Sequence, residues 1–177
     1  MEGGKDGWLI WGGAVFLLLL LGWKGVPIIM SYTQRNLRNH NPGNIRISDN
    51  PWLGKVPENQ NTDGTFEQFQ DYQGQPADFW GLRALMINAI AVYQQGGVTL
   101  TDFGNIWAPP SDNNGSSDYG PSLANQLGVQ PDDSFDVPSN LTALAGAITV
   151  NEGGINPYDS SLLNSAAQAA LQAKGLA

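Results

Sequence analysis

The chain has no cysteine and only one histidine, His40. Without thiols there is no disulfide framework, no thiol nucleophile and no Cys-based zinc site. One histidine is too few for a protein-built catalytic zinc centre, so no metal and no cofactor is expected. A Ser-His-Asp triad would have to use His40, and no nucleophile-elbow pattern supports one. Charge is sparse too: 14% of residues are Asp, Glu, Lys or Arg, with 16 acids against 8 bases and a formal charge of −8. Nucleic acid is not an expected partner, because counterion release needs a basic surface. These absences leave carboxylate chemistry or no chemistry.

Aromatics, by contrast, are plentiful: six Trp and six Phe in 177 residues argue for a folded core rather than a disordered chain. The length suits one domain plus an accessory segment. Residues 8–30 supply that segment, with an unbroken apolar run from Trp8 to Trp23 followed by Lys24 and Val26 to Met30. As a helix the run covers about 24 Å, against a hydrocarbon core of about 30 Å. Val26 to Met30 extend it, and Trp8, Trp11 and Trp23 resemble interfacial anchors. The leader carries Glu2 and Asp6, and no Ala-x-Ala site follows, which argues against a cleaved signal peptide. Residues 1–30 are therefore predicted to be a single-pass transmembrane anchor in a lipid bilayer, and 31–38 a polar linker.

Beyond the linker, Asn-Pro-Gly at 41–43 is a turn signal, and Ile45 and Ile47 begin an alternating strand. With Trp52 to Lys55 and Phe66 to Phe69, this predicts a small β-hairpin or three-stranded sheet with long loops. His40 reads as a turn residue or hydrogen-bond donor. From Phe79 the period changes: Leu82, Leu85, Met86, Ala89, Ile90 and Tyr93 form an amphipathic helix closed by Gly96-Gly97. Thr99 caps a second helix, stopped at Pro109-Pro110, and Tyr119 to Leu127 make a third, ending at Gly128. Residues 111–117 read as a loop and 131–138 as an acidic linker. Ser139 or Asn140 caps the next helix, and an Ala-rich helix over 161–174 closes the chain. The fold class predicted is α+β, mainly helical, with one N-terminal transmembrane helix.

The helix after Asn140 carries one ionisable group. Leu141, Leu144, Ala145 and Ile148 share a face, and Glu152 falls in the last turn before Gly153-Gly154 and Pro157. A carboxylate there faces the negative end of the macrodipole, at a cost of about 0.3–1 kcal/mol, which favours the protonated form. A carboxyl ready to donate a proton is what glycosidic bond cleavage needs. The alternative is a Glu that merely ends a helix.

Several of these pieces recur together. Asn41-Pro-Gly-Asn-Ile-Arg46, Trp52-x-Gly54, Phe66-x-x-Phe69, Gly81-Leu-Arg-Ala84, Tyr93, the helix start at 96–101, Trp107-Ala-Pro-Pro, Asn113-Asn114 and Tyr119 stand in that order. The set resembles a group of bacteriophage and prophage proteins, virion structural or lysozyme-like, over residues 36 to about 160. Glu152-Gly-Gly-Ile-Asn-Pro-Tyr-Asp-Ser-Ser161 is similar to the Glu-Ser-x-Phe-Asn-Pro-x-Ala-x-Ser signature of lytic transglycosylases, with Gly153 where that signature has Ser. The resemblance implies a lysozyme-like domain over 39–160 with a C-terminal helix over 161–177. In such folds the catalytic helix precedes the β region, whereas here it follows. A circular permutation would reconcile the order, and it requires the helix ending at Glu152 to abut residues 41–70 in space.

On this resemblance the expected function is a membrane-anchored, peptidoglycan-cleaving enzyme of a virus particle, a lytic transglycosylase or muramidase. Glu152 is the expected acid/base, with Glu67 as the alternative, and Asn41, Asn44, Tyr119 and Tyr158 are expected substrate contacts. A hydrolytic version needs a second carboxylate from Glu67, Asp71 or Asp49. Glu67 alternates with Phe66 and reads otherwise as the solvent face of a strand; the two tyrosines read otherwise as core residues. Expected partners are peptidoglycan glycan strands, the bilayer, and capsid or vertex proteins. Lys24, Arg35, Arg38 and Arg46 all follow the apolar run, so the positive-inside rule would hold the domain in the cytoplasm. That conflicts with a wall substrate at a host inner membrane, the alternative location, but not with a virion internal membrane. A non-enzymatic virion protein, using the domain as a scaffold or glycan-binding module, is the competing reading.

Overall fold

A computed structural model describes residues 34–109 and 118–177. The expected anchor at residues 8–30, the 111–117 loop and Asn113-Asn114 lie outside them. Among the described residues no helix is long and apolar enough to cross a membrane.

Among the described residues six α-helices follow one another: α1 (Arg35–Arg38), α2 (Ala77–Gln94), α3 (Leu100–Trp107), α4 (Tyr119–Leu127), α5 (Leu141–Gly153) and α6 (Ser160–Ala173), with single 3₁₀ turns at Glu58–Gln60 and Pro138–Asn140. The predicted stops are in place. Gly128 and Gly154 end α4 and α5 in the left-handed region at φ 69° and 79°. Thr99 Oγ1 accepts from the Asp102 N–H at 3.0 Å to open α3, and Asp159 Oδ1 accepts from Leu162 N–H at 2.8 Å to open α6. The cap expected from Ser139 or Asn140 is not made; both side chains donate back to Asp136 instead, Ser139 to its carboxylate and Asn140 to its carbonyl.

The α+β prediction needs correction, and with it the lysozyme-like architecture built on a small β-hairpin: the described residues are mainly helical. Residues 45–72 pair only at isolated bridges, Arg46 with Phe66, Lys55 with Phe69 and Tyr72 with Gln75. No strand propagates, because side chains meet the backbone where a ladder would. Asn61 Oδ1 takes the Asp63 N–H, Asp63 Oδ1 takes the Phe66 N–H, and Asn61 Nδ2 donates to the Phe66 carbonyl.

The core is built on α2, which is buried most of the way round rather than amphipathic, with Leu82, Leu85, Met86, Ala89 and Ile90 fully enclosed. Each large apolar side chain so buried contributes about 1.5–3 kcal/mol. Its most extensive partner is α6, through Leu163, Ala166, Ala167 and Ala170. The stretch 131–138 is not a solvated linker, since Phe135 and Val137 are buried and Phe135 N–H donates to the Val98 carbonyl.

Two small residues bring α3 and α4 together. A Cβ on Gly120 would stand 2.2 Å from the Leu100 carbonyl oxygen, and one on Gly104 would stand 2.5 Å from the Gly120 nitrogen. Only glycines permit that approach. It sets Tyr119, at the start of α4, beside Trp107 at the end of α3.

Candidate active site

The Asn41–Asn44 turn closes through the Asn44 N–H to the Asn41 carbonyl at 2.9 Å, with Asn44 in the left-handed region at φ 45°. Asn tolerates that conformation better than most residues. The turn lies on the end of α5, and Asn44 Nδ2 donates to Glu152 Oε2 at 2.8 Å across 108 positions of sequence. On the other side the Tyr119 hydroxyl donates to Glu152 Oε1 at 2.8 Å. Both carboxylate oxygens are thereby oriented, into a cleft of about 210 Å³ that Arg35, Asn44, Phe66, Asn88 and Trp107 also line.

The outer contacts fix which atoms do what. Arg35 Nε donates to Asn44 Oδ1 at 3.4 Å. Guanidinium offers donors only, so Asn44 must turn its amide nitrogen toward Glu152. The Arg35 guanidinium also lies over the Phe66 ring at 3.7 Å, which pins the side chain. Tyr119 takes a hydrogen bond from the Trp107 side chain. Burial, then the Glu152 charge and the hydrogen bond to it, push the Tyr119 phenol well above its usual range, so it remains a donor. The helix-end field on which the sequence argument rested is therefore opposed at the carboxylate by two donors. The two donors hold both carboxylate oxygens.

The other expected site residues are placed elsewhere. Asn41 is fully buried and fully used: Nδ2 donates to the Ile45 and Glu67 carbonyls, and Oδ1 accepts the Ile45 N–H, each at 2.9 Å. It holds the turn and has nothing left for a substrate. Tyr158 leaves the cleft, its hydroxyl facing Asp78 Oδ1 at 3.4 Å. Burial, then the Asp78 charge, raise its phenol beyond the ordinary tyrosine range. Glu67 is no solvent-facing strand residue: it is fully buried, and its Oε1 takes the Lys55 ammonium at 2.9 Å and the Ser48 N–H at 3.0 Å. Alternation with Phe66 and Phe69 had suggested exposure, but a bridge one residue long sets no sheet face. Asp49 is exposed, and Asp71 caps α2 by accepting the Ala77 N–H at 2.9 Å. Glu152 is the one acid lining the cleft among the described residues.

Sequence reasoning missed Arg35, which it placed in a linker; the signal was the Arg-Asn-Leu-Arg run that forms α1. Trp107 stands in the Trp-Ala-Pro-Pro motif, whose spacing assigns it no role. Gly153, where the similar signature has Ser, has a local cause: a Cβ there would lie 2.4 Å from Asn36 Nδ2, an amide buried beneath the end of α5.

Replacing Tyr119 by Phe removes one hydrogen bond to a charged group and leaves the ring. If Glu152 acts in catalysis, kcat should fall about tenfold to a hundredfold with KM nearly unchanged, as read by steady-state release of soluble glycan.

His40, outside the cleft, bears on stability. Its Nδ1 lies 2.8 Å from Asp78 Oδ1, and that hydrogen bond, against opposing burial and with help from the Asp78 and Asp71 charges, raises its pKa above 6.5. A histidine raised on folding stabilises fully below its unfolded value, and the contribution is lost as pH rises through the folded value. His40 also sits at φ 50°, so Asn is the suitable replacement. The melting-temperature gap between wild type and His40→Asn should be widest near about pH 5.5 and shrink by about pH 8.5.

No protein-family model matches the chain, and no curated protein matches it.

Proposed function

We propose that the protein cleaves glycosidic bonds in the glycan strands of peptidoglycan, with Glu152 as a single acid/base in the manner of a lytic transglycosylase. The observation that carries this reading is the held carboxylate: Glu152 lies in a cleft with Asn44 and Tyr119 each 2.8 Å from one of its oxygens. Glu152 gives its proton to the glycosidic oxygen as the bond to C1 breaks. Asn44 and Tyr119 stabilise the carboxylate so formed. That carboxylate then takes the proton of the muramic acid 6-hydroxyl as its oxygen closes on C1, which yields the 1,6-anhydro sugar and restores the acid. The absence of a second acid among the described cleft residues favours this internal closure over a hydrolysis that needs two carboxylates. The expected location in a virion membrane rests on the apolar run at 8–30 and on the resemblance alone.

The test is digestion of purified peptidoglycan by the full-length chain, with products read by mass spectrometry. Anhydro-ended muropeptides are expected. Reducing-end products would transfer the role to a hydrolase. Binding of the wall without any release would support the glycan-binding scaffold instead.

A further inference from the structure

The basic side chains are few, and several are engaged: Arg35 holds Asn44, Arg38 pairs with Asp63 at 3.8 Å, and Lys55 pairs with Glu67. Arg83 and Lys174 are different. Neither forms an ion pair among the described residues, yet both line a second cleft of about 480 Å³. One wall is a stripe of α2, with Arg83, Ile87 and Ala91 four residues apart on one face; the other is the 50–53 loop, and Lys174 closes the end from the C-terminus of α6. Trp52 forms part of the loop wall, and its indole N–H is buried without a hydrogen-bond partner. Burial lowers the Arg83 pKa, with no acidic neighbour contributing. The Arg83 guanidinium is 5.8 Å from the Trp80 ring centroid, which steadies it without neutralising it.

Two uncompensated cations in one cleft of a chain with net charge −8 form a local positive field against the charge of the whole. Asn88 lines this cleft and the Glu152 cleft alike, so the two adjoin across one side chain. We propose that the second cleft binds a carboxylate-bearing part of the substrate, the lactyl-peptide branch of a muramyl residue, while the glycan strand runs past Glu152. The guanidinium and ammonium take the carboxylate, Trp52 supplies an apolar face, and Ile87 and Ala91 take the aliphatic part of the branch. This deepens the reading above, since it rests on a glycan substrate and adds that the substrate is acidic.

The probes are muramyl dipeptide, which carries carboxylate, and chitobiose, which carries none, titrated calorimetrically into the full-length chain. Arg83→Gln should weaken muramyl dipeptide binding at least about tenfold, the share of one charge-assisted hydrogen bond. Lys174→Gln should weaken it several-fold, Arg83→Lys should restore part of the loss, and chitobiose binding should not change. Circular dichroism checks that each variant folds; should Arg83→Gln not fold, Lys174→Gln and the salt dependence of wild-type binding carry the test. Wild type that fails to bind muramyl dipeptide, or variants that bind it within twofold of wild type, overturn the proposal. Glu152→Gln separates it from the catalytic reading. If that variant loses digestion while the Arg83 and Lys174 variants bind normally, only the carboxylate cleft is wrong. If it digests normally, the acid assignment is wrong whatever the cleft binds.

Discussion

Glu152→Gln should reduce peptidoglycan digestion by about 10²–10⁴, the usual share of general acid–base catalysis. The substitution keeps the size of the side chain and removes the proton it must transfer. It also keeps the contacts. The new amide oxygen can accept from Asn44 Nδ2, and the new amide nitrogen can donate to the Tyr119 hydroxyl, which rotates to receive it. Loss of a negative charge at the C-terminus of α5 even favours the helix, by less than about 1 kcal/mol. A drop in turnover with an unchanged melting temperature is therefore the expected pair of results. Digestion within threefold of wild type would remove Glu152 from the chemistry. A fall in both activity and melting temperature would instead make the carboxylate a structural tie between the 41–44 turn and the end of α5.

Lys55→Met should have the largest effect on stability, about 3–5 kcal/mol, because it strands a carboxylate out of water. Glu67 is fully buried, Lys55 supplies its only countercharge among the described residues, and Glu67 Oε2 has no hydrogen-bond partner among them even in the intact pair. Set against the about 5–15 kcal/mol that holds a typical domain together, the loss should be plain in urea unfolding. The double variant Lys55→Met, Glu67→Gln should recover part of it, since the buried group is then neutral. Glu67→Gln alone, assayed well below its melting temperature, should keep digestion within tenfold of wild type. The pair acts on the site through the backbone: the Glu67 N–H and carbonyl bond to the Ile45 carbonyl and to Asn41, the residue that holds the turn presenting Asn44. A Lys55→Met protein as stable as wild type would mean that water reaches Glu67.

Sequence by itself determined the five longer helices, though not α1, and the place of Glu152. Thr99 caps, Gly128 and Gly154 stop, and the apolar spacing between them is a property of residues one turn apart; such signals act over about four positions. What lies across the fold was not legible in that way. Whether Asn44 or Asn41 would face Glu152 depended on which amide the turn consumed internally, and Asn41 was the one consumed. Tyr119 reached the carboxylate and Tyr158 did not, because Gly104 and Gly120 let α3 and α4 close to backbone contact and bring Tyr119 beside Trp107, while Tyr158 turned toward Asp78. The β region failed to extend because its polar side chains bonded to the backbone first, and Glu67 was buried because Lys55 came to meet it. Each outcome was a competition between partners distant in sequence, settled by shape and by the cost of leaving a polar group unpaired. Only the tertiary structure held those partners side by side.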